Sequence, residues 1–558
     1  MAARAAWLLA CAALAVAAGT LRAGAGVRAT APRPNIVVIE TDDQTVEEMK
    51  VLTNTRRLIG QDGTTFDNSF VSYSLCCPSR ATFLTGQYAH NHGVLSNDPP
   101  DGGYYKLKGA STLPVWLQRA GYRTALVGKY LNDYGTRNPL EIPPGWTEWH
   151  GLVDPSTYNY FGYKMNDNGT LYTDGKSAAP VYQTDFLATK AEDVIQRFAG
   201  SSQPFLLWFT PLAPHAGGPR DPGDPATALM GPSPSPRYRG RFANEPLPMP
   251  PSFDAGDQAR KPLTSQQIAM ITSEYRQELE TLLSVDDAVS GIFDTLQKAG
   301  VLGNTVVIFT SDNGFMHGEH RVVFGKVVPY EPSIRVPLMM RGPGVPKGLH
   351  LSQMVANIDL APTIEALAHA TPGLPQDGRS LLPLLRDPGL QWGRALLLES
   401  NPKDFEGIRT PRFKYVEFAP NGKEFQDLGK DPNETKNDAG NPAYASIQAG
   451  LAQRLAQLRG CAGAACSRGP SVSLAVRFKR GRGGCARPPV RATVGGSDAQ
   501  LVTGARLFAG GRKVAVADKA PFTQVLPRTV RGTTRIRADV SFADGTVMSL
   551  DKRIRACR

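Results

Sequence analysis

The chain of 558 residues lacks several features that mark whole classes of protein. Beyond its N-terminal segment it has no apolar run near the roughly 20 residues that a membrane-spanning helix needs, so we expect no stable membrane span. Aromatic residues make up 8% and are not interleaved with basic residues, which argues against nucleic-acid binding. No internal repeat is present, which excludes a solenoid. The chain does have 41% apolar and 20% charged residues, which is typical of a globular protein, and its length indicates two or three domains.

The N-terminal segment has the layout of a secretory signal peptide. Arg4 precedes an apolar stretch over residues 5–18, and small residues follow around Gly24. We therefore predict a signal peptide over residues 1–25 and a secreted or extracytoplasmic protein of the cell envelope. Two alternatives stay open, a retained membrane anchor and a lipoprotein whose cleavage box ends at Cys11.

The chain has seven cysteines. The first lies in the predicted signal peptide, and the next two are adjacent, which rarely allows a disulfide between them. In an oxidising compartment we expect the other four to form two disulfides, although four cysteines allow three connectivities. The expected pairs are Cys461–Cys466 and Cys485–Cys557.

Positive charge is concentrated at the C-terminal end. Residues 468–558 contain 19 Lys and Arg against 5 Asp, a net charge of +14, whereas the rest of the chain carries about −2. Such a surface can hold a polyanion, for example a sulfated glycan or an acidic cell wall. The alternative is an arginine-rich surface that is simply solvated.

Short apolar runs recur along the chain, bounded by Gly or Pro. They are rich in Val, Ile, Leu and Phe, which is typical of buried parallel strands. Helical patterns lie between them, and the longest covers residues 264–298. Strands that alternate with helices predict an α/β fold, a mostly parallel sheet with helices on both faces. The predicted strands are 34–40, 124–128, 204–210 and 305–310.

The remainder is predicted to form smaller units. Residues 212–262, rich in Pro, Gly and Asp, indicate a long loop beside a substrate pocket. A strand over 413–418 and a helix over 444–458 indicate a small α+β subdomain, and the tail is all-β, with a hairpin turn at Asp544-Gly545. The predicted organisation is a signal peptide (1–25), a main α/β domain (33–380), a C-terminal subdomain (381–466) and a basic, sandwich-like β domain (470–558).

Polar side chains follow the predicted parallel strands at their carboxyl ends, where ligands gather in an open sheet. Asp42 and Asp43 follow the first strand, and Asp312 and Asn313 follow the last. Their oxygen atoms suit a hard cation, Ca²⁺ or Mg²⁺, better than zinc. The alternative for any one of them is a helix cap or an ordinary loop residue. Polar residues also follow the two other strands, so we expect side chains from four strands to meet on one rim.

The sharpest motif is Cys76-Cys77-Pro78-Ser79-Arg80, which continues as Ala-Thr-Phe-Leu-Thr-Gly, a helix start. On these residues the chain resembles the type I sulfatase family, whose motif is C-x-P-S-R followed by a T-G step. Further ordered matches extend the resemblance over about residues 34–458. They are Gly121-Tyr-Arg-Thr-Ala125 with Gly128-Lys129, Ala213-Pro-His215, Thr310-Ser-Asp-Asn-Gly314, Gly318-Glu-His320, Gly325-Lys326, Arg335-Val-Pro337 and Arg341-Gly-Pro343.

The resemblance implies an alkaline-phosphatase-like fold and hydrolysis of sulfate monoesters. Cys76 would be oxidised to formylglycine by a formylglycine-generating enzyme or an equivalent maturase, and would join the ligands of one divalent cation, calcium in particular. Arg80 would hold the hydrated aldehyde and the metal-bound carboxylates. Lys129 and Lys326 would contact the sulfate oxygens, and His215 would protonate the leaving oxygen or bind sulfate.

An aldehyde hydrate does what a thiol does not. One of its two geminal hydroxyls, activated by the metal, attacks sulfur and expels the alcohol. The other then loses its proton, the carbonyl re-forms, and sulfate departs by C–O cleavage. Water therefore never has to attack the sulfated enzyme.

One position departs from the arylsulfatase pattern. Many arylsulfatases have histidine two residues after the equivalent of Lys129, where this chain has Leu131. The string Gly128-Lys-Tyr-Leu-Asn132, with the Cys-Cys-Pro-Ser-Arg motif, resembles the N-acetylglucosamine-6-sulfatase branch. The expected substrate is therefore a sulfated small molecule or glycan, and in particular a sulfated sugar such as an N-acetylglucosamine-6-sulfate unit.

Three alternatives stay open. The enzyme alternatives are an arylsulfatase of broad specificity and a phosphonate or phosphate monoester hydrolase on the same fold. The alternative of another class is a glycan-binding surface protein with an inactive site. Four further histidines receive no role at this point: His90, His92, His317 and His320.

Overall fold

The computed structural model describes residues 33–176, 179–220, 231–256, 260–401, 404–527, 532–543 and 545–557. The predicted signal peptide, Cys11 within it, and Asp544 of the predicted hairpin lie outside the described residues. The described helices include none that is long and apolar enough to cross a membrane.

The centre of the fold is a ten-stranded mixed sheet in the order β11-β2-β10-β9-β1-β8-β4-β5-β6-β7. The five strands β9, β1, β8, β4 and β5 are parallel, and antiparallel strands flank them on both sides. The four predicted strands are all present in this parallel core. The strand bounds are β1 Asn35–Thr41, β2 Thr64–Phe66, β4 Arg123–Gly128, β5 Glu148–Leu152, β6 Lys164–Asp167, β7 Thr170–Thr173, β8 Phe205–Thr210, β9 Thr305–Ser311, β10 Leu338–Arg341 and β11 Leu349–Leu351, with the short pair β3 Ser69–Phe70 and β12 Val355–Ala356 outside the sheet.

Both faces of the parallel core are covered, and strands β1, β8 and β9 are accordingly buried along their whole length. Ile36 and Val38 pack into one hydrophobic core, and Val37 and Ile39 pack into another on the opposite face. Helices α2, α4 and α8 contribute to the first core, and α5 and α6 to the second. The helix bounds are α1 Thr53–Thr55, α2 Cys76–Thr85, α3 Ala89–His92, α4 Leu113–Arg119, α5 Gln183–Ala199, α6 Ser265–Lys298, α7 Glu331–Ile334, α8 Leu360–Ala368, α9 Leu382–Arg386 and α10 Ala445–Leu458.

The long helix α6 begins where its sequence predicts. Thr264 and Gln267 form a capping box, in which the Thr264 hydroxyl accepts from the Gln267 amide at 3.2 Å and the Gln267 side chain accepts from the Thr264 amide at 2.9 Å. The described residues between β8 and α6 contain no helix or strand, as expected for a long loop.

Smaller elements follow the main sheet. A four-stranded antiparallel sheet packs with α10 over a third core, and two further antiparallel sheets enclose a fourth core in the tail. Both expected disulfides are present, Cys461–Cys466 and Cys485–Cys557. The predicted domain boundaries stay a prediction, since residues Arg33–Arg558 form one compact unit. The remaining strands are β13 Leu396–Glu399, β14 Phe405–Arg409, β15 Phe413–Phe418, β16 Gly422–Asp427, β17 Ser473–Arg480, β18 Ala486–Gly495, β19 Val502–Ala509, β20 Arg512–Ala517, β21 Phe522–Val525, β22 Thr533–Phe542 and β23 Val547–Arg555.

Candidate active site

The carboxyl ends of the parallel strands bring the predicted site residues together. Asp42 and Asp43 follow β1, and Asp312 follows the neighbouring strand β9; the amide of Asp43 donates to Asp312 Oδ1 at 3.2 Å. Asp42 also pairs with Pro214, next to His215, in a short parallel bridge. Asp43 has a positive φ of 71°, a conformation that costs energy for a non-glycine residue and that turns the chain sharply at the sheet edge.

Cys76 lies at the first position of α2 and faces these carboxylates. Its Sγ atom is 3.5 Å from Asp42 Oδ1, and Lys326 Nζ donates to it at 2.9 Å. Burial, with a contribution from the charge of Asp42, raises the pKa of Cys76 to about 12. An unmodified Cys76 is therefore a neutral thiol at physiological pH, and a thiol is a poor nucleophile.

Arg80, one turn along α2, bridges the two strand-end carboxylates. Its Nε donates to Asp312 Oδ2 at 2.7 Å, and its Nη2 is 3.3 Å from Asp42 Oδ2. Nη1 donates to the backbone carbonyl of Lys129 at 2.9 Å. The guanidinium thus connects β1, β4 and β9, and all three charged side chains are completely buried.

Two lysines bring further positive charge. Lys129 Nζ contacts Asp42, and Lys326 Nζ contacts Asp43. Burial alone would raise the pKa of Asp42, but Lys129, His215 and Arg80 outweigh it and hold that pKa far below its usual range. The opposite balance holds for Asp312, whose pKa is raised to about 6 by burial and by the charge of Asp42.

Lys129 owes its position to the glycine before it. Gly128 has a φ of +124°, and a Cβ atom there would lie 2.1 Å from the carbonyl oxygen of Thr210 on β8. Only glycine fits this conformation at this close approach. The Thr210 hydroxyl donates to the Lys129 carbonyl at 2.7 Å, which fixes the end of β4 against β8.

His215 enters the site from the end of β8. Its Nδ1 is 2.7 Å from the carbonyl oxygen of Ala216, so this nitrogen carries the proton of the neutral ring and Nε2 faces Asp43 at 3.7 Å. Burial lowers the pKa of His215, although Asp43 and Asp42 oppose the shift. The Tyr160 hydroxyl donates to the His215 carbonyl at 2.8 Å and holds the segment in place.

The donor set fits a hard cation. Ligand atoms of Asp42, Asp43, Cys76 and His215 all lie within 4.8 Å of one another. Asn313 Nδ2 donates to Asp43 Oδ1 at 2.6 Å, while the buried Asn313 Oδ1 has no hydrogen-bond partner among the described residues. An oxygen that is buried without a partner is suited to a metal ion. His215, predicted only as a catalytic residue, therefore lies among the possible metal ligands. The predicted ligand Asp312 is linked to these residues by Arg80, which contacts both Asp312 and Asp42, and by the Asp43 amide, which donates to Asp312.

Other residues that contact or support the site received no role from the sequence. The ring of Tyr158 lies 5.0 Å from Lys129 Nζ and 5.1 Å from the His215 ring. The Trp208 indole donates to Glu40 at 2.7 Å beneath the site, and burial raises the pKa of Glu40 to about 7. Tyr158 ends a short 3-10 helix, Ser156–Tyr158, that carries no motif, so no local signal marks it. Glu40 precedes the acidic pair by one residue, Thr41, but its buried partner Trp208 is distant in sequence.

Leu131 does not line the site. It is buried in the hydrophobic core beneath α2 and α4, so this chain fills with an apolar side chain the position where many arylsulfatases place a histidine. At this position the chain therefore has a buried apolar side chain in its core and not a polar side chain that could act in the site.

The four histidines without a predicted role make other contacts. His90 lies 2.7 Å from Glu399, His92 lies 3.1 Å from the Thr82 hydroxyl, and His320 stacks on Tyr330. His317 forms a second buried group with Glu48 and Glu278, with His317 Nε2 2.6 Å from Glu278 Oε2. This group shares no residue with the site around Cys76.

Comparison with known proteins identifies the enzyme class that this fold and these charges define. The chain belongs to the sulfatase family. The family model described as Sulfatase matches residues 34–370, and the model described as N-sulphoglucosamine sulphohydrolase, C-terminal, matches residues 318–460. The protein is a sulfuric ester hydrolase, and the expected alkaline-phosphatase-like fold is confirmed.

Two relatives and one solved structure show how the similarity is distributed. Human N-acetylglucosamine-6-sulfatase is 36% identical over 394 residues, which cover 67% of this chain and 68% of the human one. A putative extracellular sulfatase Sulf-1 homolog of Caenorhabditis elegans is 36% identical over 365 residues, and the match covers 63% of this chain but only 49% of the nematode protein. A solved complex of a protein with its substrate D-glucosamine-2-N,6-O-disulfate has a TM-score of 0.64 and 26% identity, and covers 76% of this chain and 97% of that one.

Proposed function

We propose that this sulfatase removes 6-sulfate groups from N-acetylglucosamine or related glucosamine units of a sulfated glycan. The observation that carries the proposal is the joint similarity to human N-acetylglucosamine-6-sulfatase and to a structure holding a 6-sulfated glucosamine. The buried Leu131 supports it, because the chain lacks the histidine that many arylsulfatases place there.

The nucleophile in this proposal is a formylglycine made from Cys76. The buried thiol, with a pKa raised to about 12, is unsuited to attack a sulfate ester. The hydrate of an aldehyde at this position supplies a hydroxyl nucleophile and later releases sulfate by re-forming its carbonyl. A formylglycine-generating enzyme or an equivalent maturase is the partner that this chemistry requires.

Asp42, Asp43, Asp312 and Asn313, together with the formylglycine at position 76, are the residues that would hold a divalent cation, and the oxygen atoms of these residues favour Ca²⁺. When bound, such a cation acts as a Lewis acid toward sulfate oxygens and lowers the pKa of a neighbouring hydroxyl. Arg80 keeps two of the carboxylates in position, because its fork contacts both Asp42 and Asp312.

The basic side chains then act on the substrate. Lys129 and Lys326 face the position of residue 76 and would bind the sulfate oxygens, whose negative charge grows as the ester bond breaks. His215 presents Nε2 to the same space while Ala216 accepts from Nδ1. An anionic substrate beside His215 favours the imidazolium, which would donate a proton from Nε2 to the leaving alcohol oxygen.

We also propose that the protein acts outside the cytoplasm. The two disulfides and the name of the nematode relative, an extracellular sulfatase, support this location. The predicted signal peptide lies outside the described residues and remains a prediction.

The decisive experiment compares matched esters on purified, matured enzyme. We expect N-acetylglucosamine-6-sulfate to be turned over faster than an aryl sulfate, and far faster than the phosphonate or phosphate monoester of the same alcohol. Mass analysis of the peptide carrying residue 76 should show an aldehyde or its hydrate. Faster cleavage of the aryl sulfate would favour an arylsulfatase of broad specificity, and faster phosphonate cleavage would contradict the proposal.

A further inference from the structure

The first sheet of the C-terminal domain carries a row of exposed basic side chains. Strands β17, β18 and β21 form this sheet and contain no Asp or Glu. We call β17, β18 and the turn between them, residues 473–495, the basic ribbon. Its exposed basic residues are Arg477, Lys479, Arg480, Arg482, Arg487 and Arg491.

The strand register places like charges directly against each other. Arg477 is opposite Arg491, and Lys479 is opposite Arg487, in the antiparallel pair of β17 and β18. Like charges directly opposite each other destabilise a sheet. Folding alone therefore gives no reason for this arrangement.

In the second sheet of the same domain, by contrast, two arginines form ion pairs with aspartates. Arg535 donates from Nε to Asp551 at 2.7 Å across β22 and β23, and Arg537 lies 3.1 Å from Asp539. Among the described residues, no basic side chain of the ribbon forms an ion pair with Asp or Glu. The positive charge of the ribbon is thus available to an external anion.

The ribbon is also held rigidly. The Cys485–Cys557 disulfide joins its turn to the end of the chain after β23, and the Gly481 amide donates to the Cys485 carbonyl at 2.8 Å. Leu474 and Val494, on the inner face, are buried in the core of the domain. A rigid surface loses little conformational entropy when it binds a ligand.

The spacing makes the charges act together. Arg477 and Lys479 are alternate residues of β17 and are therefore about 6.6 Å apart, and each faces its partner on β18 across about 4.8 Å. A register shift between the two pairs leaves Arg487 and Arg491 four residues apart on β18. The distances within each opposed pair and between Arg477 and Lys479 are shorter than the Debye length of about 8 Å at physiological ionic strength, so the potentials of these side chains add. Three of the four are arginines, whose planar fork matches the oxygens of a sulfate group.

We propose that the basic ribbon is a binding site for a sulfated glycan chain, separate from the site around Cys76. The inference rests on the proposed function in taking its ligand from the same polymer that supplies the ester. Sulfate groups on neighbouring sugars occupy the row formed by Arg477, Arg491, Lys479 and Arg487. The C-terminal domain thereby raises the local concentration of substrate without contributing to bond cleavage.

The test uses the full chain and a heparin dodecasaccharide as the probe. The variant R477T/R491T removes one opposed pair and keeps residues that suit an exposed strand. The matched control R506T/R512T removes the same charge from exposed positions of the second sheet. We expect R477T/R491T to weaken heparin binding at least about tenfold at low salt and to reduce its salt dependence, and the control to change it less than about twofold.

A second variant and a desulfated probe distinguish loss of the binding site from poor folding and from non-specific charge effects. K479T/R487T should reproduce the loss if the first variant folds poorly, and the desulfated dodecasaccharide should not bind the unaltered protein. Equal weakening by the control would show a general charge effect, and equal affinity for duplex DNA would show a surface without preference for sulfated glycans; either result overturns the proposal. Turnover of N-acetylglucosamine-6-sulfate is measured in parallel and should be unchanged in every variant. If the proposed substrate is wrong, the turnover assay will show it, whereas the heparin-binding assay tests only the basic ribbon.

Discussion

Replacing Arg80 with Gln tests the electrostatic design of the site most directly. The substitution removes the guanidinium that contacts Asp312 at 2.7 Å and Asp42 at 3.3 Å, and all three side chains are fully buried. Removing one partner of a buried ion pair costs about 3–5 kcal/mol, because the remaining charge stays buried without compensation. Since a whole domain is stable by only about 5–15 kcal/mol, the effect should be easily measured.

The matched control is Arg394→Gln. Arg394 is also buried and contacts the buried Asp359, and neither residue contacts Asp42, Asp312 or Cys76 through a hydrogen bond or ion pair described for this structure. We expect guanidinium-chloride unfolding of matured enzyme to show a similar loss of stability for both variants. Only R80Q should also lose activity per folded molecule, by about 10²–10³, the effect of removing one positioned donor from a charged site.

Arg80→Lys refines the comparison. Lysine keeps the charge but cannot reproduce a planar fork that spans two carboxylates and the Lys129 carbonyl. We expect a smaller stability loss than in R80Q and a substantial loss of activity. Mass analysis of the peptide with residue 76 should confirm that maturation is intact in each variant.

The loss of stability in R80Q should depend on pH in a predictable direction. Burial already raises the pKa of Asp312 to about 6, and Arg80 lowers it, so the substitution should raise it further. A carboxyl group with a raised folded-state pKa binds its proton better in the folded protein, and this contribution is lost as pH rises through that pKa. The stability lost in R80Q should therefore be smaller at pH 5 than at pH 8. Full activity of R80Q, or equal inactivation of R394Q, would refute the reasoning.

Three further predictions concern the nucleophile, the cation and the tail. Cys76→Ala should abolish activity, whereas Cys77→Ala, which trims a side chain in the hydrophobic core, should cost about 1 kcal/mol of stability and leave the residue-76 aldehyde detectable by mass analysis; loss of the aldehyde in the second variant would contradict this. Chelation with EGTA should lower both activity and melting temperature, with Ca²⁺ restoring both better than Zn²⁺, and full activity of protein shown to be metal-free would exclude the proposed cation. Cys485→Ser/Cys557→Ser opens a loop with a sequence separation of 72, which should cost the tail about 4 kcal/mol in chemical unfolding without changing turnover of a sulfated monosaccharide; unchanged unfolding would count against this estimate.

The sequence by itself determined the local structure and much of the chemistry. The four apolar runs identify four of the five parallel strands, because both faces of that part of the sheet are buried and alternate residues of β1 enter opposite cores. The fifth, β5, carries Glu148 and His150 and has no comparable apolar run. The residues after those strands had to meet, since parallel strands end at one edge. The Cys76-to-Arg80 motif indicated the chemistry through its resemblance to the sulfatase family, and its spacing places both side chains on the first turns of one helix.

Only the tertiary structure decided which of these side chains touch. Lys326 reaches Cys76 across 250 residues of chain, and Arg80 reaches Asp312 across 232. Such contacts depend on the strand order β9-β1-β8-β4, which no local pattern encodes. The same holds for His215 beside Asp43 and for Leu131 in the core. It holds equally for the opposed arginines of the basic ribbon, because register between strands is set by packing and turns and not by composition.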